Sequence, residues 1–421
     1  MRELADDARR LDFDDPLAPL RDRFDLPPGT IYLDGNSLGP PSRDALAALS
    51  RTIDDWKTLL IGGWTDADPT WLFLAERLGA RLAPLIGAHP DEVIATGSTT
   101  VNLHQLLATL FDPKAGRTQL LIEAGAFPSD RYALQSHLRL RGLDPATALV
   151  TLPPAPRIDP RAVEAALETR RIALAVLPSV VYTSGQLLDM ERIGAAARRT
   201  DTLLLWDCAH SVGIVPHDFA TLQPDGAFWC SYKWLGAGPG AVGGLYLNRR
   251  HFGRSPGLAG WFGAAKETLF ANETTIRTAP GAAALQIGTT PVLALAPLIG
   301  ALGVLEAAGI DRLRAGSLAR TAFLRRCLDA YAGDALRIET PAPDHERGGH
   351  LTLGHPEASR LSRRLRAHGV VPDHRPPDLL RLAPSPLFTS FRDCLVAAQT
   401  LGTLLADAYR QDTPCDDSLV P

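Results

Sequence analysis

Lysine is almost missing from this 421-residue chain. Of its 43 basic residues only four are lysines (Lys57, Lys114, Lys233 and Lys266), and the remaining 39 are arginines. A guanidinium does not deprotonate in proteins, so a lysine kept in an apolar or glycine-rich setting is a candidate for amine chemistry. Excess charge of either sign is missing too. The formal net charge is −4, which gives no electrostatic footprint for nucleic acid or an anionic membrane as partner. Cysteine is sparse: Cys208, Cys230, Cys327, Cys394 and Cys415 are odd in number, widely spaced and without a Cys-x-x-Cys pair. They read as the reduced set of a cytoplasmic protein, not as a disulfide framework. The longest apolar run, Val292 to Leu305, contains Pro297 and ends at Glu306. It falls short of the ~20 residues a membrane span needs and predicts a buried helix. The opening residues, MRELADDARRLDFDD, carry charge throughout and no apolar core, so no secretory signal is expected. Internal repeats and low-complexity segments are absent as well.

What is present is an ordinary globular composition, 45% apolar and 21% charged, in a chain long enough for two domains. Residues 1–30 read as a polar arm broken by Pro27 and Pro28, followed by the turn-rich IYLDGNSLGPPS. Helical spacing of apolar residues runs over 43–60 and 70–88. From residue 92 the chain alternates. EVIAT (92–96), QLLIEA (119–124), IALAVLPSVV (172–181), TLLLWD (202–207), GAFWCS (226–231) and GGLYLN (243–248) read as strands. Between them lie helical patterns, including Leu103, Leu106, Leu107 and Leu110, and the stretch 189–199. Strands apolar on both faces and separated by helices predict a mostly parallel α/β sheet covered on both sides. After residue 298 the texture changes to a long helical stretch, short strands (HLTLG, LLRLAP) and a last helix over 391–409. The expected organisation is an arm and helix over 1–60 that join the small domain, a large α/β domain over 61–300, and a smaller α+β domain over 301–421. Its tail QDTPCDDSLVP is expected to be disordered.

Three local features carry chemistry. Asp207 ends a wholly apolar strand, with His210 three residues on. In an open parallel sheet ligands sit at the carboxyl ends of the strands, so Asp207 either faces a ligand or caps the next element. Lys233 follows the next strand, stands between Tyr232 and Trp234, and precedes GAGPG. Partial burial favours the neutral amine, a nucleophile toward carbonyls; the alternative is a surface lysine. GSTT (97–100) opens a helix, where free N–H groups, hydroxyls and the helix dipole suit a phosphate, or where a hydroxyl simply caps the helix. A strand-end aspartate with a lysine 26 residues later, plus a phosphate site, is the arrangement of fold-type-I pyridoxal-phosphate enzymes.

The sequence resembles the kynureninase family over nearly its whole length. The motifs that carry the resemblance are YLDGNSLG (32–39), TTVNLHQLL, AFPSD (126–130), WDCAHSVG (206–213), CSYKWLGAGPG (230–240), LAGWFG (258–263), IGTTP (287–291) and APSPLFTSF (383–391). The resemblance implies a large domain with a mostly parallel seven-stranded sheet, a small α+β domain, and pyridoxal 5'-phosphate as cofactor. It implies hydrolytic cleavage of L-kynurenine, and of its 3-hydroxy form, to the anthranilate and L-alanine, within tryptophan breakdown or NAD biosynthesis. Lys233 would carry the cofactor, Asp207 would meet the pyridine nitrogen, and His210 would lie beside the ring. Phe127 would stack on the ring, with Pro128, Ser129 and Asp130 in the same segment. Thr99, Thr100 and Tyr232 would hold the phosphate, joined by Trp261 and Thr289 from the partner subunit of a homodimer. Ser179 would touch the cofactor, and Arg381 would grip the substrate α-carboxylate through a two-pronged pair. Tyr232 and Lys233 are the candidates for activating water. Trp64, Gly288 and Thr289 match positions around the substrate ring and favour unsubstituted kynurenine. Two departures stand out: Ala264 where the family often has His, and Trp234 where Tyr is more usual. The rival readings are a cysteine desulfurase or class V aminotransferase, or a non-catalytic protein on the same fold. The first requires an exposed thiol; the last should have lost Lys233, Asp207 or Arg381.

Overall fold

The strands that are apolar on both faces need cover on both faces, and the computed structural model shows how they obtain it. It describes residues 2–113, 116–169 and 171–408. Lys114, Cys415 and the tail QDTPCDDSLVP lie outside the described residues. Seven strands form one sheet: β1 (Val93–Thr96), β2 (Gln119–Ile122), β3 (Leu149–Thr151), β4 (Ile172–Pro178), β5 (Leu203–Asp207), β6 (Gly226–Cys230) and β7 (Gly243–Leu247), in the spatial order β1-β7-β6-β5-β4-β2-β3. β7 pairs antiparallel with both β1 and β6, and every other pairing is parallel. Several strands are shorter than the apolar runs that announce them. β4 stops at Pro178, because Val180 and Val181 turn away to pair with Leu187 and Gln186.

Leu174, Leu177, Leu205 and Phe228 have no exposed surface. Each such side chain stabilises the fold by about 1.5–3 kcal/mol relative to exposure. The sheet core extends to the helices Leu74–Leu82, Thr99–Leu110 and Val292–Ala308. The last is the long apolar run, and it lies against the helix Arg43–Leu59. The single long helix expected after residue 298 is two. The chain breaks at Gly309, whose φ of +76° suits a residue without Cβ, and the axes of Val292–Ala308 and Ile310–Tyr331 differ by 77°. Among the described residues no single helix is long and apolar enough to cross a membrane.

A second core gathers the smaller sheet: β8 (Arg337–Ile338), β9 (Leu351–Gly354), β10 (Asp373–Arg375) and β11 (Leu379–Leu382), ordered β10-β11-β9-β8 and antiparallel throughout. The helix Phe391–Ala408 packs on it. The N-terminal arm is itself a helix, Arg2–Phe13, because Leu4 and Ala8 fall on one face and bury against this second core. Ile31 and Tyr32 pair in parallel with Val370 and Val371. They deliver the following DGNSLG turn to the seam between the two cores.

Candidate active site

The carboxyl ends of the parallel strands open onto one cavity of about 360 Å³. Several strands supply it in turn. β1 leads into Ser98, Thr99 and Thr100; β2 into Glu123, Phe127, Ser129 and Asp130; β5 ends at Asp207; and the turn after β6 brings Tyr232 and Lys233. This is where an open α/β sheet places its ligand.

The helix Thr99–Leu110 begins at the cavity. Ser98 caps it, its hydroxyl accepting from Val101 N at 3.4 Å. In GSTT, therefore, Ser98 is the cap, and Thr99 and Thr100 line the cavity at the positive end of the helix. Asp207 also serves twice. Its Oδ1 accepts from Ala209 N at 2.8 Å while the side chain lines the cavity. Burial pushes its carboxyl up, and the Lys233 charge counters this. Asp130 lies on the first turn of the helix Pro128–Leu140, where Pro128 occupies the start of the helix and does not line the cavity. Burial and the neighbouring Asp207 charge push Asp130 well above the usual carboxylate range. Two buried carboxyls side by side call for a cationic group between them and solvent.

Lys233 Nζ donates to His210 Nε2 at 2.9 Å. Burial and the Lys233 charge hold His210 well below its usual value, so the ring is neutral and its proton sits on Nδ1. That buried nitrogen has no partner, and neither has Oε1 of the buried Glu123 on the opposite wall. Tyr182 stacks over His210, centroids 6.2 Å apart, and meets Phe127 edge-on at 5.6 Å. Tyr232 is pushed far up by burial and keeps its phenolic proton. The lysine loop is held from outside by the DGNSLG turn. Gly39 N donates to Tyr232 O at 2.7 Å, and a Cβ on Gly39 would lie 2.4 Å from Lys233 O. The donor set fits pyridoxal phosphate: hydroxyls and a helix N-terminus for the phosphate, an amine for the aldehyde carbon, and two carboxyls for the pyridine nitrogen.

Some expected residues stand elsewhere. Ser179 has no exposed surface; its hydroxyl bonds Ser211 Oγ at 2.7 Å and Asp207 O at 3.1 Å. It fixes the end of β5 from behind and does not face the cavity. Arg381 is also fully buried, on β11, and donates to Asp373, to Tyr182 O at 3.0 Å and to Ser37 Oγ at 3.0 Å. The arginine that lines the cavity is Arg375. Trp261, Gly288 and Thr289 are exposed and do not line the cavity of their own chain. Trp64 packs against Trp71 and Phe262 and lines a separate apolar depression with Trp56 and Thr290. Beneath this face lies the second buried lysine, Lys266. Its Nζ donates to Phe262 O at 2.7 Å, stands 4.2 Å from the centre of that ring and 3.5 Å from Glu76. It pins the GWFG loop.

Residues missed in the sequence are Ser37, Glu123, Tyr182 and Arg375, all on the cavity wall, and His350, fully buried with its ring 5.9 Å from that of His210. Glu123 follows the apolar strand β2, the same signal that marks Asp207. Ser37 lies in a quoted motif. Tyr182, Arg375 and His350 had no local signal, because the seam between two cores is assembled from distant segments. The four described cysteines are all buried, and burial pushes the Cys208 thiol up to about 12. Among the described residues none is the exposed thiol a desulfurase needs.

Comparison with known proteins gives the chain its relatives. Residues 313–401 match the kynureninase C-terminal domain, and residues 60–226 match the DegT/DnrJ/EryC1/StrS aminotransferase family. Kynureninase of Geobacillus thermodenitrificans is 45% identical over 405 residues, 95% of this chain and 94% of that protein. A Bacillus cereus kynureninase is 45% identical over 413 residues, 96% of this chain and 95% of that protein. Among solved structures, the cystine C–S lyase C-DES superposes with a TM-score of 0.77 at 21% identity, covering 90% of this chain and 97% of that one. The cysteine desulfurase of Thermococcus onnurineus gives 0.73 at 16% identity, covering 94% and 98%. Those two likenesses show the fold alone, whereas identity with the kynureninases runs through the whole chain: it belongs to the kynureninase family of fold-type-I pyridoxal-phosphate enzymes.

Proposed function

We propose that this chain hydrolyses the Cβ–Cγ bond of L-kynurenine, and of 3-hydroxy-L-kynurenine, to release the anthranilate and L-alanine. The observation that carries the reading is Lys233 Nζ at 2.9 Å from a neutral His210, in a cavity shared with Asp207 and the N-terminus of the helix Thr99–Leu110. Bound there, pyridoxal phosphate supplies an electron sink for negative charge at the substrate α-carbon. The chain's own residues do the rest. Thr99, Thr100 and Tyr232 hold the phosphate, and Asp207 keeps the proton on the pyridine nitrogen. Lys233 Nζ, freed by the incoming amino group, takes the α-proton, and His210 Nε2 holds the amine in place meanwhile. Water must then add to the γ-carbonyl. Once Lys233 has handed the α-proton on, its neutral amine is the group able to accept the proton of that water, while Tyr232, which keeps its own, is suited to donate to the carbonyl oxygen.

The reading extends to a cytoplasmic homodimer, with residues 61–300 as the cofactor domain and 301–421 as the small one. Support for a dimer comes from exposed apolar side chains on one connected face. Trp56 and Leu293 share a depression with Trp64, which touches Phe262, which touches Trp261, which touches Phe270. A soluble monomer rarely leaves so much apolar surface bare, and Gly288 and Thr289 lie at the start of the same segment. On this reading Trp261 and Thr289 reach the cofactor phosphate of the partner subunit, and Trp64 and Gly288 its substrate ring. The test is release of product by the purified, cofactor-loaded protein. Equimolar anthranilate and alanine from L-kynurenine, faster than from the 3-hydroxy form, is the expected result. No product from either substrate would overturn the activity; faster turnover of the 3-hydroxy form would overturn the ring-pocket assignment alone.

A further inference from the structure

A second polar cavity, of about 400 Å³, opens at the other end of the large sheet, where β5 and β6 begin. β5 runs from Leu203 on its wall to Asp207 in the cofactor cavity, so the two lie at opposite ends of one strand. Arg198 comes from the helix Met190–Arg199, Asp225 from the turn into β6, and Arg250, His251 and Arg254 from the segment after β7. Asp225 is already neutralised. Its Oδ1 receives Arg250 Nη2 and His251 Nε2, each at 2.7 Å, and its Oδ2 receives Leu204 N at 2.7 Å. Burial pushes this carboxyl up, but the bonds from His251 and Arg250 win and hold it below the usual range. Asp201, the other carboxylate on the wall, has a side chain 97% exposed and pairs only with Arg117, at 3.9 Å. Two guanidiniums are left over. Arg198 Nη1 donates to Leu222 O at 2.8 Å. Among the described residues its other two nitrogens have no partner, nor has any side-chain nitrogen of the exposed Arg254. His251 is 5% exposed, and its buried Nδ1 has no partner either.

We propose that this cavity is a binding site for a phosphate-bearing anion, held by Arg198 and Arg254. A lone unpaired arginine on a convex surface is simply solvated. Two that line one concavity, where the local carboxylates are spent or turned to solvent, leave a net positive site whose walls focus the field. Their planar forks match the oxygens of a phosphate. The volume exceeds what a bare phosphate fills and lies in the range of sites for small organic ligands. His251 gives its Nε2 proton to Asp225, so Nδ1 of the neutral ring is an acceptor that calls for an N–H or O–H. A nucleotide's amino and hydroxyl groups supply such donors. None of these side chains lines the cofactor cavity, so the inference stands apart from the proposed activity.

The test is calorimetric titration of the cofactor-loaded enzyme, whose cofactor-phosphate site is then filled, with AMP and with inorganic phosphate. One saturable site per chain is expected. Tighter binding of AMP identifies a nucleotide-like ligand, and equal affinity identifies free phosphate; both support the site. Arg198→Gln and Arg254→Gln should each weaken binding roughly 10-fold, and kynurenine turnover in the absence of added anion should stay at the wild-type level. Arg254→Lys, which keeps the charge and loses the fork, should lose less than Arg254→Gln. Because Arg254 is exposed and bonds no described residue, its replacement does not threaten folding. Asp201→Asn, which removes an opposing charge, should tighten binding. No saturable binding of either probe at millimolar concentration would overturn the proposal, as would wild-type affinity in both glutamine variants.

Discussion

Gly39 is the position outside the cavity that bears most closely on the lysine loop, because its Cα faces the backbone of Lys233 and Gly236. Substitution by Ala adds one carbon, and that carbon would lie 2.4 Å from Lys233 O and 2.8 Å from Gly236 Cα. An ordinary carbon–oxygen contact is about 3.3 Å, so Gly39→Ala must open a gap of roughly 0.9 Å. Both opposing atoms are backbone and cannot swing aside, and Gly39 N is already tied to Tyr232 O at 2.7 Å. The strain of such overpacking is about 1–3 kcal/mol, enough to lower the melting temperature without preventing folding. The larger effect falls on chemistry. A shift of nearly 1 Å in the backbone that carries Lys233 moves its amine away from the reacting carbon, and a misplacement of that size costs on the order of 100-fold in rate. The assay is kcat/KM for L-kynurenine beside a thermal melt, with Gly303→Ala as control, since a Cβ there meets nothing nearer than 4.0 Å. A soluble Gly39→Ala enzyme with wild-type kcat/KM would refute the claim that this turn sets the lysine loop.

Two further outcomes are expected. Burial and the nearby Asp373 push the Asp34 carboxyl up to about 6 from 3.8. Its contribution to stability is therefore fully present below pH 3.8 and lost as pH rises through 6. Asp34→Asn should stabilise the protein against urea by up to about 3 kcal/mol at pH 8 and by about half as much at pH 5; an equal gain at both pH values would contradict the shift. Asp207→Ala should weaken cofactor binding and lower kcat at least about 100-fold. Normal rates in that variant, measured at saturating cofactor, would rule out its pairing with the pyridine nitrogen.

Much of this was written in local sequence, and the exceptions share a cause. The parallel strands announce themselves as apolar runs bounded by turns, and Asp207, Lys233 and Thr99–Thr100 stand at strand ends or a helix start, where local pattern and ligand position coincide. The helix Arg2–Phe13 was read as an arm because its buried residues are only Leu4 and Ala8, flanked by the half-buried Ala5 and Leu11, a signal that acquires meaning once a second core exists to receive it. The break at Gly309 was hidden because the helical periodicity resumes at once on the far side. The seam was least legible. Ser37, Tyr182, His350, Arg375 and Arg381 come from five separate segments, and which arginine faces the cavity depends on the register of β10 against β11, which no local spacing encodes. Ser179 shows the converse: it lies at a strand end yet points behind the sheet, because its hydroxyl is spent on Ser211 and the Asp207 carbonyl.

The central claim is that Lys233 carries the cofactor, and it has an internal rival in Lys266, the other buried lysine. Borohydride reduction of the cofactor-loaded protein, followed by peptide mapping, tests it directly. A single stoichiometric label on Lys233 is the predicted result, and label on Lys266, or spread over Lys57 and Lys114, would contradict it.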